Sequence, residues 1–425
     1  MLKSPNDKRK PDRVEFIFLV ALLETLMMDL PKLVLKKNEE RRLRAGHLWI
    51  FSNEVDSQKT DLKSIEPGAL VTVMDWRGKA LGLAFFSRGS LICARLLTRD
   101  LNIRIDRSWF AKRIARALSL REQLFDKPYY RLVYAESDGL PGLVIDRFGD
   151  VCVVQSNTQG MDKALNMIVG ALEMVISPRT IVIRNDSKAR DYEQLPDVVM
   201  QFGQPVEDKV LIEENGVKFF VDPLKGQKTG WFFDHRENRE WVSRYAKGRR
   251  VLDLFSYTGS FSVQAAVGGA AEVLAIDASR EALDYLLENA SLNRAADRVQ
   301  IQHGDAFKTL KALISAGESF DVIVVDPPAF VPRKKDLKVG MEAYQRLNQL
   351  AVQLLKPGGL ILSASCSMHL SGDSLQNIIR KALLRTGRTG QIIRQATQAP
   401  DHPIHPAIPE SRYLKGYGFR VLNNE

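Results

Sequence analysis

From residue 250 onward, short apolar runs alternate with longer amphipathic stretches. The runs at 250–255, 271–277, 299–302, 320–326, 360–364, 391–397 and 418–422 have the length and composition of strands. Between them, 261–267, 280–289, 306–316, 342–355 and 373–384 place apolar residues at helical spacing. In 342–355, for example, Ala343, Leu347, Leu350 and Leu354 follow at intervals of four, three and four. This alternation predicts an α/β domain of Rossmann-like type over 196–425, with a largely parallel sheet covered on both faces. Ligands of such sheets bind beyond the C-terminal ends of the strands.

The pattern upstream differs. Over 31–104 the chain reads as short strands and turns: 32–35 extended, Glu66-Pro67-Gly68 a turn, 69–75 alternating, Arg77-Gly78-Lys79 a hairpin tip and 80–86 returning. This predicts a small β-rich domain. Over 105–195 a helix at 109–120, strands at 143–146 and 151–155 joined around Phe148-Gly149-Asp150, a helix at 162–174 and a strand at 180–184 predict a small α+β domain.

The first 30 residues stand apart. Basic residues precede an apolar run at 14–28, but Glu15 and Glu24 interrupt it and it falls short of the roughly 20 apolar residues that a membrane span needs. Two readings remain open: translation beginning at Met27 or Met28, or an amphipathic helix. No membrane partner is expected. Cys93, Cys152 and Cys366 lie far apart in metal-free spacing, which fits a reducing cytoplasm and excludes a disulfide framework and a cysteine metal site.

Charge adds a polyanion to the possible partners. The chain carries 61 Lys and Arg against 51 Asp and Glu, a formal charge of +10. Lys36, Lys37, Arg41, Arg42 and Arg44 cluster ahead of Trp49 and Phe51, and Lys112, Arg113 and Arg116 share one predicted helix. Each group is read either as a solvated face or as a phosphate-binding surface.

The strand ends carry the candidate chemistry. Asp253, Phe255, Tyr257 and Gly259 lie where the first strand meets a loop of small and flexible residues that can curve around a ligand. Asp277, ending the second strand, can accept the hydroxyl hydrogens of a ribose. Asp305 can accept from an adenine amino group or cap the next helix. Two prolines stiffen Asp326-Pro327-Pro328-Ala329-Phe330, so that Asp326 is held over the cleft and Phe330 offers a flat face to a base. The first loop lacks GxGxxG, which argues against a nicotinamide cofactor.

These residues resemble the class I methyltransferases, and more closely the bacterial 23S rRNA cytosine-5 methyltransferases with an N-terminal PUA domain. The resemblance spans 29–425. It rests on Gly46-His47-Leu48-Trp49-Ile50-Phe51-Ser52, Ser137-Asp138-Gly139-Leu140-Pro141-Gly142-Leu143, Gly226-Gln227-Lys228-Thr229-Gly230-Trp231-Phe232, Asp234-His235-Arg236-Glu237-Asn238-Arg239, the stretches 253–259 and 326–330, Ser365-Cys366-Ser367 and Glu410-Ser411-Arg412-Tyr413-Leu414-Lys415. It implies a PUA domain, a small α+β domain and a catalytic domain that binds S-adenosylmethionine. It further implies that Lys228, Thr229, Gly230 and Arg236 help to enclose that cofactor. His235 departs from the family, in which glutamine is common.

Cytosine C5 is a poor nucleophile until something adds at C6, so its methylation calls for a thiolate beside the base. Cys366, just after the fifth strand and within the family motif, is the candidate nucleophile, with Asp326 engaging the N3 and N4 edge. Cys93 and Cys152 read as packing residues. The expected partner is 23S rRNA, free or in a large-subunit precursor, acted on by a monomer or homodimer. Methylation of a base nitrogen and a non-catalytic RNA-binding assembly factor are the alternatives.

Overall fold

The computed structural model describes residues 30–423, so both readings of the N-terminal extension fall on 1–29, outside the described residues. The chain divides into two compact units.

The first unit comprises the chain up to Arg104 with Thr158–Ala164 and Tyr192–Gln194. Its sheet has the order Lys32–Val34, Leu70–Met74, Ala80–Phe86, Ile92–Thr98, Trp49–Phe51. The first pair is parallel and the others antiparallel. Alternation buries Val71 and Val73 with Leu33, Ile50, Phe86 and Leu96 in one core. The strand Ile92–Thr98 does not stand out in the sequence. Gly160 packs against Phe85 so closely that a Cβ there would lie 2.3 Å from the ring, which requires glycine.

The second unit contains two larger sheets. In the smaller, Val198–Gly203, Thr180–Asn185, Val151–Ser156, Leu143–Phe148 and Tyr129–Tyr134 lie side by side. Val198–Gly203 lies beyond the boundary expected at 195, and Ile105–Asn157 and Leu165–Asp191 form one compact unit with the chain from Leu195 onward. Buried charge ties them together. Arg121 at the end of helix Arg107–Leu124 grips Asp138 through two bonds of 2.7 and 2.8 Å and donates to the Asp401 carbonyl at 2.8 Å. The backbone N–H of Arg131 donates to the Asp401 carboxylate at 3.0 Å. The helix expected at 162–174 is two helices, Gln159–Lys163 and Leu165–Val175, broken at Ala164.

The larger sheet has seven strands: Arg250–Leu254, Glu272–Asp277, Val299–His303, Phe320–Val325, Leu355–Ser365, Arg388–Thr397 and Lys415–Asn423. Numbered in that order, their spatial sequence is third, second, first, fourth, fifth, seventh, sixth. The first five are parallel; the seventh runs antiparallel to the fifth, and the sixth antiparallel to the seventh at the edge. The order reverses beside the first strand, so the first and fourth strands flank the switch point where α/β sheets bind ligands. Near-continuous burial of Val322, Ile323, Val324 and Val325 shows both faces covered.

Candidate active site

At the switch point, the loop after Arg250–Leu254 is sharply coiled. Phe255 and Tyr257 adopt left-handed backbone angles, with φ of 63° and 50°, and Gly259 follows at 86°. Left-handed non-glycine residues cost about 1–2 kcal/mol each, so tertiary contacts must hold them. Those contacts come from the second strand: Asp277 accepts the Tyr257 N–H at 2.9 Å and the Ser279 N–H at 2.8 Å, one on each oxygen. Asp253 sits below the loop, buried, accepting from Ser262 Oγ at 2.6 Å. Burial, with the charges of Asp326 and Asp277, pushes its carboxyl up to about 7 against the Ser262 hydrogen bond.

A second turn covers this loop. The Gln227 N–H donates to the Tyr257 hydroxyl at 2.8 Å, and the Tyr257 ring meets Phe232 edge-on at 5.6 Å. A Cβ at Gly226 would lie 2.5 Å from the Asp222 carbonyl, so close approach excludes a side chain. Lys228 reaches over Phe232, 4.4 Å from the ring centroid, and lies 6.0 Å from that of Tyr413.

Two neighbours of Lys228 are engaged elsewhere. Thr229 is buried and donates to Asp146 at 2.5 Å, sharing that carboxylate with Arg131. Arg236 packs over Phe125 at 4.2 Å, hydrogen-bonds the Tyr129 carbonyl and lies 3.5 Å from Glu214. Both side chains therefore lock the turn and the following helix Arg236–Ala246 to the central sheet. Asp305 is the N-cap of helix Ala306–Ser315, accepting the Lys308 N–H at 2.9 Å.

Cys366 and Asp326 lie on loops that are pinned to each other. The Val331 N–H donates to Ser367 Oγ at 3.1 Å, Tyr344 Oη lies 3.0 Å from the same oxygen, and Ser365 Oγ donates to Tyr344 Oη at 2.8 Å. The two serines thus clamp the Cys366 backbone, leaving its side chain partly exposed while Cys93 and Cys152 are buried. Burial pushes the Cys366 thiol up, Asp326 and Asp234 add to that, and Lys228 opposes them. Cys93 and Cys152 are pushed up to about 12, chiefly by burial. Phe330 packs against Tyr344 at 4.9 Å and Phe307 at 6.2 Å, with Phe255 at 6.5 Å, so it is half-buried in an aromatic cluster.

His235 is the functional neighbour that sequence reasoning does not place. Its Nε2 lies 3.2 Å from Asp326 Oδ2, and its Nδ1 lies 3.1 Å from Asn238 Nδ2. When the ring is neutral, the Asn238 amide donates to Nδ1, which puts the proton on Nε2, facing Asp326.

A sequence model of S-adenosylmethionine-dependent methyltransferases matches residues 158–397, and one of PUA-like domains matches 33–99. The chain belongs to this methyltransferase family. It is 39% identical over 397 residues to ribosomal RNA large subunit methyltransferase I of Cronobacter sakazakii, covering 92% of this chain and 99% of that one. It is 38% identical over 408 residues to the protein of the same name from Salmonella typhi, covering 94% and 100%. Among solved structures, SMU.776, a methyltransferase complexed with SAH, superposes with a TM-score of 0.79 at 23% identity over 92% of this chain and all of that one. A SAM-dependent methyltransferase from Streptococcus mutans does so with 0.78 at 22% identity, over the same shares.

The cofactor of this methyltransferase is S-adenosylmethionine, and the residues at the switch point fit it. Asp277 retains lone pairs for ribose hydroxyls beyond the two backbone bonds. Ser256 Oγ and Thr258 Oγ1 are buried without a partner among the described residues, two polar groups in the loop ready for a ligand.

The predicted RNA-facing cations divide. Arg42 is spent on Glu54 at 2.6 Å and on the Phe51 ring at 4.7 Å, Arg44 pairs with Asp75 at 2.9 Å, and Lys36 donates to the Asn53 carbonyl at 2.8 Å. Lys37 and Arg77 flank the half-exposed Trp76, at 5.5 and 4.6 Å from its ring, whereas Arg41 is exposed. Lys112 and Arg116 are exposed on their helix, and Arg113 lies over Trp109 at 5.1 Å. The sequence around Trp76 and Arg77 marks only a hairpin tip, with no sign that ring and cation stack. No helix of the described residues is long and apolar enough to cross a membrane.

Proposed function

We propose that this protein methylates C5 of a cytosine in 23S rRNA, free or in a large-subunit precursor, in the cytoplasm. One observation carries the reading: the loop after the fourth strand, which holds Asp326, is bonded through Val331 to Ser367, so the Asp326 carboxylate bears on the partly exposed Cys366. A base nitrogen is already nucleophilic and needs no thiol. The rRNA substrate is supported by the names of the relatives and by the PUA-like domain.

S-adenosylmethionine supplies an electrophilic methyl group. Cys366, having released its proton to solvent, adds through sulfur to C6. Asp326, ionised in the free enzyme and taking up a proton from solvent as the base binds, donates that proton to N3, so the electrons of the C5–C6 bond make C5 nucleophilic. His235 holds Asp326 Oδ2 at 3.2 Å and so orients the carboxyl group. Once C5 carries the methyl group, a water removes the C5 proton, Asp326 takes back the N3 proton, and the C6–sulfur bond breaks to release Cys366. The target must be single-stranded or flipped from its stack, because a paired base cannot bring C6 to a side chain.

Cys366→Ala should abolish 5-methylcytosine formation on rRNA while leaving S-adenosylmethionine affinity nearly unchanged. Retained turnover would remove the nucleophile from this reading, and a methylated base nitrogen in the product would replace the reading altogether.

A further inference from the structure

Lys415 opens the last strand of the catalytic sheet and is paired in register with Ser365, the residue before Cys366. Its side chain turns back along the Cys366 loop, and Nζ donates to the Ser367 carbonyl at 2.5 Å. The lysine is therefore fastened to the residue before the thiol through the sheet and to the residue after it through its ammonium.

The ammonium lies in an unusual place. Lys415 is half-buried, and burial pulls its proton affinity down. Such a cation ordinarily finds a carboxylate, because taking an unpaired charge out of water is costly. The sulfur of Cys366, once ionised, is the group that favours the Lys415 ammonium, which lies against the carbonyl of the next residue, Ser367. The other groups facing the thiol are the Asp326 and Asp234 carboxylates, which oppose its ionisation, Lys228, which favours it, and the Tyr344 hydroxyl, itself held by Ser365 and Ser367. Two carboxylates thus bear on the thiol, and a reactive cysteine needs cations to set against them.

We propose that Lys415 is a positioning residue for the nucleophile: anchored on the Ser367 carbonyl, its ammonium sets the Cys366 loop and supplies the positive charge that holds the sulfur as thiolate when it attacks. This rests on the reading of Cys366 as the nucleophile and adds the group that sustains its charge. Lys415 itself forms no bond to substrate, and its proton stays on nitrogen throughout.

The test needs neither RNA nor methyl transfer. Iodoacetamide alkylates thiolates, and Cys93 and Cys152 are buried, so mass-spectrometric mapping of the intact protein reads Cys366. The rate is followed against pH in the wild type, Lys415→Met and Lys415→Arg, with S-adenosylmethionine binding as the check on folding. Lys415→Met should move the profile to higher pH and slow alkylation at neutral pH by about tenfold or more, the effect of one lost opposite charge close by. Lys415→Arg should keep most of the wild-type rate. Should Lys415→Met not fold, Lys415→Gln, neutral but still a donor to Ser367, answers the same question. An unmoved profile in the neutral variants would overturn the proposal. So would an equal loss in Lys415→Arg, since that would make the effect one of shape and not of charge. A shifted profile in an enzyme whose product is not 5-methylcytosine would leave the lysine's role intact and overturn the C5 reading instead.

Discussion

His235 Nε2 lies 3.2 Å from Asp326 Oδ2, so this imidazole holds the proposed proton donor. Burial pushes the His235 imidazole down, but the charge and hydrogen bond of Asp326, with Asp234 behind them, carry it above its ordinary value. A histidine raised in this way stabilises the fold fully below its unfolded pKa, about 6.5, and that contribution is lost as pH rises through the higher folded value. His235→Gln keeps a donor but does not titrate. The urea midpoint of the wild type relative to His235→Gln should therefore fall as pH rises from 6 towards and past the folded value. A constant or widening difference would contradict the pairing. His235→Leu, which leaves the carboxylate without its donor, should cost about 1–3 kcal/mol at neutral pH.

Asp253 acts in the same direction over a lower pH window. Its carboxyl is raised to about 7 by burial, so the folded protein holds a proton that the unfolded chain releases near pH 4. Stability from this group falls as pH rises between those values. Asp253→Asn keeps an acceptor for Ser262 without the cost of ionisation. It should be more stable than the wild type at pH 8, by as much as a few kcal/mol, with a smaller advantage at pH 5. Denaturant titrations at the two pH values decide this, and an advantage that shrinks towards pH 8 would refute the protonated state.

The alternation of strand and helix is legible from residue 250 onward because a parallel sheet covered on both faces needs unbroken apolar runs such as Val322 to Val325. The strand ends are legible for the same reason, since Asp277, Asp326 and Cys366 each follow such a run. The central sheet is harder. Tyr129–Tyr134 is polar in part because Arg131 is neutralised within the fold by Asp146, a partner that no local pattern announces. The motif around Lys228 marks the right turn but cannot say which side chains face the cleft. Thr229 and Arg236 are held by Asp146, Tyr129 and Phe125, all distant in sequence. The place of His235 is not legible either, because it requires the distance to Asp326.

At the hairpin tip Lys37 and Arg77 lie 5.5 and 4.6 Å from the Trp76 ring, two cations that we propose meet RNA phosphates. Lys37→Glu with Arg77→Glu should weaken binding to an rRNA fragment and reduce the salt dependence of the constant by about one for each phosphate that is no longer neutralised. Arg42→Gln, by contrast, should act mainly on stability, since Arg42 is already paired with Glu54. Unchanged affinity and salt slope in the double variant would remove this surface from RNA binding.

The most direct measurement is bisulfite sequencing of 23S rRNA from cells with the gene, without it, and without it but carrying the Cys366→Ala form. The expected result is one 5-methylcytosine position that disappears on deletion and is not restored by Cys366→Ala. An unchanged 23S profile on deletion would contradict the substrate, and restoration by Cys366→Ala would contradict the chemistry.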